Sequence, residues 1–123
     1  MMNKLGTHVL IELWQVPPEQ LNDVAWVRKL LLQAAEEAQC SVVSQTFHRF
    51  APQGVSGVVV IAESHISIHT WPELGYAAAD IFTCGDHTMP EQAAQYLIRT
   101  MGAGRHLLQV LERGIPDTSI EAA

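Results

Sequence analysis

The strongest constraint on the fold is a strand-like pattern of apolar and polar residues that fills the middle of the chain. From Ser41 to Phe50 the side chains alternate with the two-residue period of a β-strand. Similar segments follow, separated by turn residues such as Pro52-Gln53-Gly54. Because neighbouring strands joined by short turns pair in opposite directions, this region predicts an antiparallel sheet. Its predicted strands span residues 41–50, 55–62, 66–71 and 76–83.

The flanking segments predict one further strand and one helix on each side of this region. Apolar residues from Glu19 to Gln39 recur every three or four positions, which is typical of an amphipathic helix. A second helix is predicted from Glu91 to about Met101, where Gly102 ends it. The outer strands are predicted over residues 5–14 and 105–113, and the tail over residues 115–123 is expected to be disordered.

The predicted order of elements, β-α-β-β-β-β-α-β, indicates an α+β fold. We expect a two-layer sandwich in which a mostly antiparallel sheet carries both helices on one face. A length of 123 residues is typical of a single domain, here residues 1–123. The other face of the sheet is predicted to be too apolar to meet water, so we expect a second copy of the chain to cover it in a homodimer.

Charge and apolar content exclude several classes of partner. Thirteen acidic residues against seven basic ones give a formal charge of −6, so no nucleic acid partner is expected. No apolar run approaches the ~20 residues that span a bilayer, and the first residues lack the pattern of a secretory signal. We therefore expect a soluble, cytoplasmic protein with no membrane partner, in which Cys40 and Cys84 are free thiols.

Polar side chains that can take part in chemistry concentrate in and around the predicted strands. The set comprises His48, Glu63, Ser64, His65, His69, Glu73, Cys84, Asp86 and His87. One interpretation is a metal site with four ligands, completed by Cys84 and His87. However, His65 and His69 would lie ~13 Å apart on a strand, which is too far for one ion without a sharp bend. We therefore predict no metal site.

Two other interpretations follow from the residue types alone. Ser64 or Cys84 could be a nucleophile that acts on an external acyl substrate, although no strand–turn–helix elbow surrounds Ser64. Alternatively, these side chains only make hydrogen bonds within the sheet, as histidines and serines in small sheets often do. The number of such groups in one run of strands makes this second interpretation less favourable.

Long motifs in the same region match a known family. They are Thr46–Phe50, Pro52, Gly54–His65, Ile68–Glu73 and Asp80–Asp86. These motifs resemble those of the prokaryotic S-adenosylmethionine decarboxylase proenzymes. The resemblance extends from Leu5-Gly6 to Arg113-Gly114, and only the segments around Pro17-Pro18 and after Gly114 lack a distinctive match.

The resemblance implies that the chain is made as an inactive precursor and cleaves itself between Glu63 and Ser64. In this family the serine hydroxyl attacks the carbonyl carbon of the preceding glutamate, and an ester replaces the amide. β-Elimination then leaves a dehydroalanine, which hydrolyses to a pyruvoyl group. The implied products are a β chain, residues 1–63, and an α chain, residues 64–123, which begins with a pyruvoyl cofactor derived from Ser64. Two cleaved protomers are expected to form an (αβ)2 homodimer.

The resemblance also implies roles for the residues that match the family motifs. His69 is expected to remove the α-proton of Ser64 during the elimination. Ser56 is expected to support processing through a hydrogen bond to the reacting carbonyl. Cys84 is expected to donate a proton in the decarboxylation step, for which its thiol must hold a proton.

The substrate implied by the resemblance is S-adenosylmethionine. Phe50 and His69 are expected to sandwich the adenine ring, and Glu73 to hydrogen-bond the ribose hydroxyls. The substrate amine would form a Schiff base with the pyruvoyl ketone, which takes the electrons released as CO2 leaves. Pyridoxal phosphate would instead need a lysine, and the two lysines, Lys4 and Lys29, lie outside the polar segment.

The implied activity is that of a pyruvoyl-dependent lyase that decarboxylates S-adenosylmethionine for spermidine, and hence polyamine, biosynthesis. An alternative on the same fold is a pyruvoyl-dependent arginine or ornithine decarboxylase. Phe50 and Glu73 argue against it, because those substrates carry neither adenine nor ribose. A second alternative is an unprocessed, non-enzymatic homologue, which the intact Ser64, His69 and Cys84 disfavour.

Overall fold

A six-stranded sheet is the framework of the computed structural model, which describes residues 4–116. The elements are β1 Gly6–Trp14, α1 Pro18–Leu21, α2 Val24–Glu37, β2 Val42–Arg49, β3 Val55–Ile61, β4 Ser64–Trp71, β5 Tyr76–Thr83, α3 Pro90–Met101 and β6 Arg105–Arg113. The strands lie in the order β2-β3-β4-β5-β1-β6, and all neighbouring pairs are antiparallel. The predicted α+β fold and the predicted order of strands and long helices are confirmed. Most of the tail that was expected to be disordered lies beyond residue 116, outside the described residues.

The first helical region differs from the prediction, because it is two helices and not one. Asp23 caps the start of α2, where its carboxylate accepts a hydrogen bond from the backbone N–H of Trp26 at 3.1 Å. Asn22 uses its side-chain oxygen to accept a hydrogen bond from the backbone N–H of Gly54 at 2.9 Å. Short polar side chains that bond to backbone groups compete with a continuous helix, which explains the break between α1 and α2.

The hydrophobic core lies between the sheet and the two long helices. Buried residues alternate along β1, β3, β4 and β5, as expected for strands with one face covered. The helices contribute residues at helical spacing, including Leu30, Leu31, Ala34, Leu97 and Met101. No helix among residues 4–116 is long and apolar enough to cross a membrane.

A close approach between β2 and β3 helps to join the edge strand β2 to the core. The ring of Phe47 lies directly over Gly57 on β3, where a Cβ atom would overlap the ring. The guanidinium of Arg28 on α2 lies 5.3 Å from the centre of the same ring. Gly57 therefore makes room for an aromatic side chain that connects the sheet edge to α2.

The face of the sheet away from the helices, here called the open face, is more polar than predicted. It presents His8 and Glu12 on β1, His65 and His69 on β4, and Asp80 on β5 between apolar residues. Exposed apolar side chains on the same face include Val58, Val60, Trp71, Leu107 and Leu111. The open face thus combines an apolar surface with a row of ionisable groups.

A buried hydroxyl ties the end of β4 to the elements around it. Thr70 accepts a hydrogen bond from the backbone N–H of Val55 at 2.9 Å and donates one to the carbonyl oxygen of Leu21 at 2.8 Å. All three groups are buried, so water cannot replace these bonds. The contact fixes β4 against β3 and α1.

Replacing Thr70 by valine should therefore destabilise the fold although the two side chains have the same shape. The change leaves a buried N–H and a buried carbonyl oxygen without this partner, which costs about 2 kcal/mol or more. Thr70→Ser is the matched control, because it keeps the hydroxyl. Urea unfolding of both variants measures the effect, and equal stability of Thr70→Val and the wild type would contradict it.

Candidate functional site

The bond between Glu63 and Ser64 lies in a tight hairpin turn. Ile61 at the end of β3 pairs with Ser64 at the start of β4, so that Ala62 and Glu63 form the two-residue connection. Ser64 also pairs with Thr83 at the end of β5. The loop that follows β5 is thereby placed directly beside the turn.

Glu63 is held at its carbonyl and at both carboxylate oxygens. Its carbonyl oxygen accepts hydrogen bonds from the backbone N–H of Cys84 at 3.0 Å and from the Cys84 thiol at 3.2 Å. Its carboxylate accepts from the ring Nε2 of His87 at 2.8 Å and from the backbone N–H of Ser41 at 3.2 Å. The hydrogen bond from His87 and then that from Ser41 lower the pKa of Glu63, so it stays ionised. We call Glu63, Ser64, Cys84 and His87 the turn cluster.

Ser64 has an unusual backbone conformation. Its φ is +148°, and only two other non-glycine residues among residues 4–116, Gln15 and Gln39, have a positive φ. For a residue with a Cβ atom this region costs on the order of 1–3 kcal/mol. The strain lies at the N–Cα bond next to the Glu63–Ser64 peptide, and a broken peptide would release it.

A second group of predicted site residues lies at the other end of the same strands. His69 on β4 pairs with Ser56 on β3, and the distance between Ser56 Oγ and His69 Nδ1 is 2.9 Å. Ser56 in turn pairs with His48 on β2, whose ring packs edge-on against Phe50 with 4.5 Å between ring centres. Glu73 is exposed in the short helical turn after β4. We call these five residues the far cluster.

One copy of the chain does not bring the two clusters together. Ser64 and His69 are five residues apart on one extended strand, which separates them by about 16 Å at ~3.3 Å per residue. Ser56 lies beside His69 and is equally remote from the turn. The predicted partners of Ser64, namely His69 and Ser56, therefore cannot act on it within the same protomer.

A third group, whose members the sequence did not place together, lies on the open face between β1, β4 and β5. The carboxylate atom Asp80 Oδ2 lies 2.7 Å from His8 Nε2 and 3.2 Å from His65 Nε2. Ser67 donates its hydroxyl to the other carboxylate oxygen, and Arg113 donates to His8 Nδ1 at 2.9 Å. Burial raises the pKa of Asp80, but the hydrogen bonds from Ser67, His8 and His65 outweigh this and leave it below the ordinary value.

The four predicted candidates for metal ligands do not form a site in one copy. His65 and His69 lie at different points along β4, and His87 is hydrogen-bonded to Glu63. His8, His65 and Asp80 do place ligand-type atoms within 4.8 Å of one another. However, the positive Arg113 contacts His8 and hydrogen bonds join all three side chains, so we interpret this group as a hydrogen-bond network.

A shallow depression on the open face connects the far cluster to this network. Its volume is about 200 Å3, below the ~300–1,000 Å3 that is typical of a small-molecule pocket. The lining residues include Glu12, His69, Asp80, Leu107 and Gln109. One copy alone therefore does not enclose a drug-sized ligand here.

His8 and the contact of His87 with Glu63 were not predicted from the sequence. His8 approaches the other groups only because β1 pairs with β5, across more than 70 residues of chain. No local pattern around His8 signals that pairing. The position of His87 could have been inferred, because the pairing of Ser64 with Thr83 places the following loop at the turn.

The two cysteines, both free as predicted, should differ strongly in reactivity. Burial, followed by the nearby charge of Glu63, raises the pKa of Cys40 to about 11, whereas Cys84 is exposed. At pH 8 only about one thousandth of Cys40 is thiolate, which is the reactive form. Iodoacetamide should therefore alkylate Cys84 in the folded protein and Cys40 only after denaturation. Peptide mapping measures this, with Cys84→Ser as the control, and preferential labelling of Cys40 in the folded protein would contradict it.

Comparison with known proteins places the chain in a family. The family model for S-adenosylmethionine decarboxylase matches residues 7–114. The S-adenosylmethionine decarboxylase proenzyme of Thermodesulfovibrio yellowstonii is 51% identical over 114 residues, which cover 93% of this chain and 84% of that protein. The proenzyme of Pseudomonas aeruginosa strain PAO1 is 46% identical over 111 residues, covering 90% and 69% of the two chains.

A solved structure agrees with the sequence comparisons. The crystal structure of the adenosylmethionine decarboxylase from Aquifex aeolicus VF5 matches with a TM-score of 0.88 and 40% sequence identity, covering 95% of this chain and 97% of that one. The resemblance predicted from the motifs is thereby confirmed. The chain belongs to the S-adenosylmethionine decarboxylase family.

Proposed function

We propose that this protein is a pyruvoyl-dependent S-adenosylmethionine decarboxylase that is made as a proenzyme. The observation that carries the proposal is the turn cluster, in which the carbonyl oxygen of Glu63 accepts two hydrogen bonds from Cys84 next to the strained Ser64. We propose cleavage at this bond into a β chain, residues 1–63, and an α chain, residues 64–123. The names of the relatives support both the precursor form and the reaction.

The residues of the turn fit the formation of a pyruvoyl group from Ser64. The Ser64 hydroxyl is one residue from the Glu63 carbonyl carbon, and the N–H of Cys84 is aimed at the oxygen on which negative charge would develop. The Cys84 thiol is exposed beside the same atoms, where it can give a proton to a product. A pyruvoyl group supplies a ketone that accepts the electrons released when an amino acid loses CO2.

We propose that a second copy of the chain completes the site. His69 and Ser56 are about 16 Å from Ser64 in one protomer. Their proposed roles in processing therefore require that the His69 and Ser56 acting on Ser64 belong to a second copy. A two-fold axis that crosses β4 near its middle would bring the turn cluster of one copy over the far cluster of the other. The mixed apolar and ionisable open face is the surface that such a homodimer would bury.

The far cluster has side chains suited to S-adenosylmethionine. Phe50 is nearly half exposed, and with His69 it offers aromatic surface for an adenine ring. The exposed carboxylate of Glu73 can accept hydrogen bonds from ribose hydroxyls. Arginine and ornithine would leave these groups without partners, and the family comparisons do not favour those substrates or a non-enzymatic role.

The cytoplasmic location stays a prediction from the sequence.

Release of CO2 from carboxyl-labelled amino acids tests the proposed function directly. The purified protein should decarboxylate S-adenosylmethionine and release no CO2 from arginine or ornithine. Ser64→Ala is the control, and it should stay folded, uncleaved and inactive. Activity on arginine or ornithine alone would contradict the substrate, and continued cleavage of Ser64→Ala would contradict the site.

Coexpression of two inactive variants tests whether the site is shared between copies. His69→Ala lacks the proposed base of the far cluster and Ser64→Ala lacks the cleavage residue, so neither variant should be processed completely when it is expressed alone. In mixed dimers the His69→Ala chain should be cleaved, giving roughly one quarter of the wild-type number of sites for random two-fold pairing. Tagged chains and intact mass measurement identify which chain is cut. Cleavage of His69→Ala expressed by itself would contradict a role for His69 in processing.

Cys84→Ala separates cleavage from decarboxylation. The backbone N–H that contacts the Glu63 carbonyl remains in this variant, so cleavage should proceed. The thiol proton donor is lost, which should lower kcat by about 100-fold or more. Single-turnover decarboxylation measures the loss, and normal turnover would remove Cys84 from this role.

A further inference from the structure

The processing serine is the first member of a chain of three hydrogen-bonded side chains. Ser64 Oγ lies 3.4 Å from His65 Nδ1, and His65 Nε2 lies 3.2 Å from Asp80 Oδ2. This order of hydroxyl, imidazole and carboxylate is the one that activates serine nucleophiles on unrelated folds. All three residues belong to the same protomer, in contrast to the pair of Ser64 and His69.

The surrounding groups determine which ring nitrogen of His65 can accept a proton. Arg113 is a donor only, so His8 must accept its hydrogen bond at Nδ1 and donate from Nε2 to Asp80. Ser67 donates to the other oxygen of the same carboxylate. Asp80 is therefore an ionised acceptor, to which neutral His65 donates its Nε2–H. The lone pair of His65 Nδ1 then faces the Ser64 hydroxyl.

The carbonyl group of Glu63, which Ser64 would attack, is hydrogen-bonded by Cys84. The carbonyl oxygen of Glu63 accepts the backbone N–H of Cys84 at 3.0 Å and its thiol at 3.2 Å. Donors in this position stabilise the negative charge that forms on the oxygen when a nucleophile attacks the carbonyl carbon. Side chains of the types that serve as nucleophile, base and orienting carboxylate, and a donor to the carbonyl oxygen, thus lie at or near the turn.

We propose that His65, oriented by Asp80, is the base for the first step of self-cleavage. Nδ1 of His65 takes the proton from Ser64 Oγ as Oγ forms a bond to the carbonyl carbon of Glu63. The π electrons of this carbonyl group move to the carbonyl oxygen of Glu63. When this oxyanion collapses, the bond to the Ser64 nitrogen breaks and the nitrogen takes the proton back from Nδ1. The product is an ester between Glu63 and Ser64 with a free amine, and no other reactant is consumed.

This inference rests on the proposed function and divides its proton transfers between two histidines. His65 acts on the hydroxyl within one copy, and His69 of a second copy acts on the α-proton afterwards. His69 forms a hydrogen bond with Ser56 at the other end of β4. It is therefore too far from Ser64 of its own copy to take over the role of His65. Loss of His65 should therefore stop the reaction at the amide, and loss of His69 at the ester.

Hydroxylamine distinguishes these two arrested states, which have the same mass. It splits an ester at neutral pH and leaves the peptide bond intact. Full-length chain is made by cell-free synthesis, and samples are denatured over time with and without hydroxylamine. His65→Gln should form hydroxylamine-sensitive chain at least ~100-fold more slowly than the wild type. His69→Ala should instead accumulate hydroxylamine-sensitive chain.

A matched control variant and a chemical rescue distinguish a role of His65 as a base from a purely structural role. His106→Gln is the control, because His106 is exposed on β6 opposite Leu13, at the end of the sheet away from the turn; it should be cleaved at the wild-type rate. Added imidazole should restore ester formation in His65→Ala, which a merely structural role of His65 does not predict. Wild-type ester formation in both His65 variants would overturn the inference, as would slow formation that imidazole leaves unchanged.

Asp80→Asn tests the positioning role of the carboxylate. The charged or titratable groups facing His65 are Asp80 on β5 and His8 on β1, with Arg113 on β6 behind His8. A carboxylate favours the protonated ring, so its removal should shift the pH profile of ester formation to lower pH and reduce the maximum rate. An unshifted profile would overturn this role of Asp80.

The outcome for the wild type separates this inference from the proposed function. If wild-type chain is cleaved while His65→Gln matches its rate, only the role of His65 is overturned. If the wild type yields neither ester nor cleaved chain, the self-cleavage proposal and the role of His65 both fail.

Discussion

The pairing of β4 with β3 on one side and β5 on the other is the constraint on which the proposed chemistry depends. It places the Glu63–Ser64 bond in a two-residue turn and brings Cys84 to the Glu63 carbonyl. The same two ladders place His69 beside Ser56 and His65 beside Asp80. The helix-facing side chains Ile66 and Ile68 of β4 are buried. This one strand therefore positions Ser64 and His65 near its start and His69 near its end. A register slip of one residue would turn all of these side chains to the other face.

The rigidity of this strand is also the reason why we propose that a second copy completes the site. An extended strand keeps Ser64 and His69 about 16 Å apart, and a buried strand in the middle of a six-stranded sheet cannot fold back on itself. The proposed two-fold pairing of open faces would bring the two clusters together without any new element, since each copy has both clusters. The distances also determine the proposed roles of the two histidines. His65 would take the first proton within one copy, and His69 would take the second proton from the other copy.

Much of the fold could be predicted from the sequence because its signals are local. Alternation, β-branched runs and Pro/Gly turns located the strand ends to within one residue, except that β4 begins at Ser64, two residues before the predicted Ile66. The break between α1 and α2 was missed because Asn22 and Asp23 act through backbone contacts, one of them to the distant Gly54. His8 was missed for the same reason, since only the pairing of β1 with β5 brings it to Asp80. The motifs predicted the candidate site residues but not their separation, which depends on the geometry of the strand.

The proposed function requires that this chain cleaves itself at one bond and generates a reactive ketone at the new N-terminus. Intact mass measurement of the purified protein under denaturing conditions, with and without phenylhydrazine, tests this claim most directly. The proposed cleavage predicts two fragments, residues 1–63 and 64–123, and a hydrazone on the second fragment only. A single full-length chain that gains no hydrazone after prolonged incubation would contradict it, as would cleavage at any other bond.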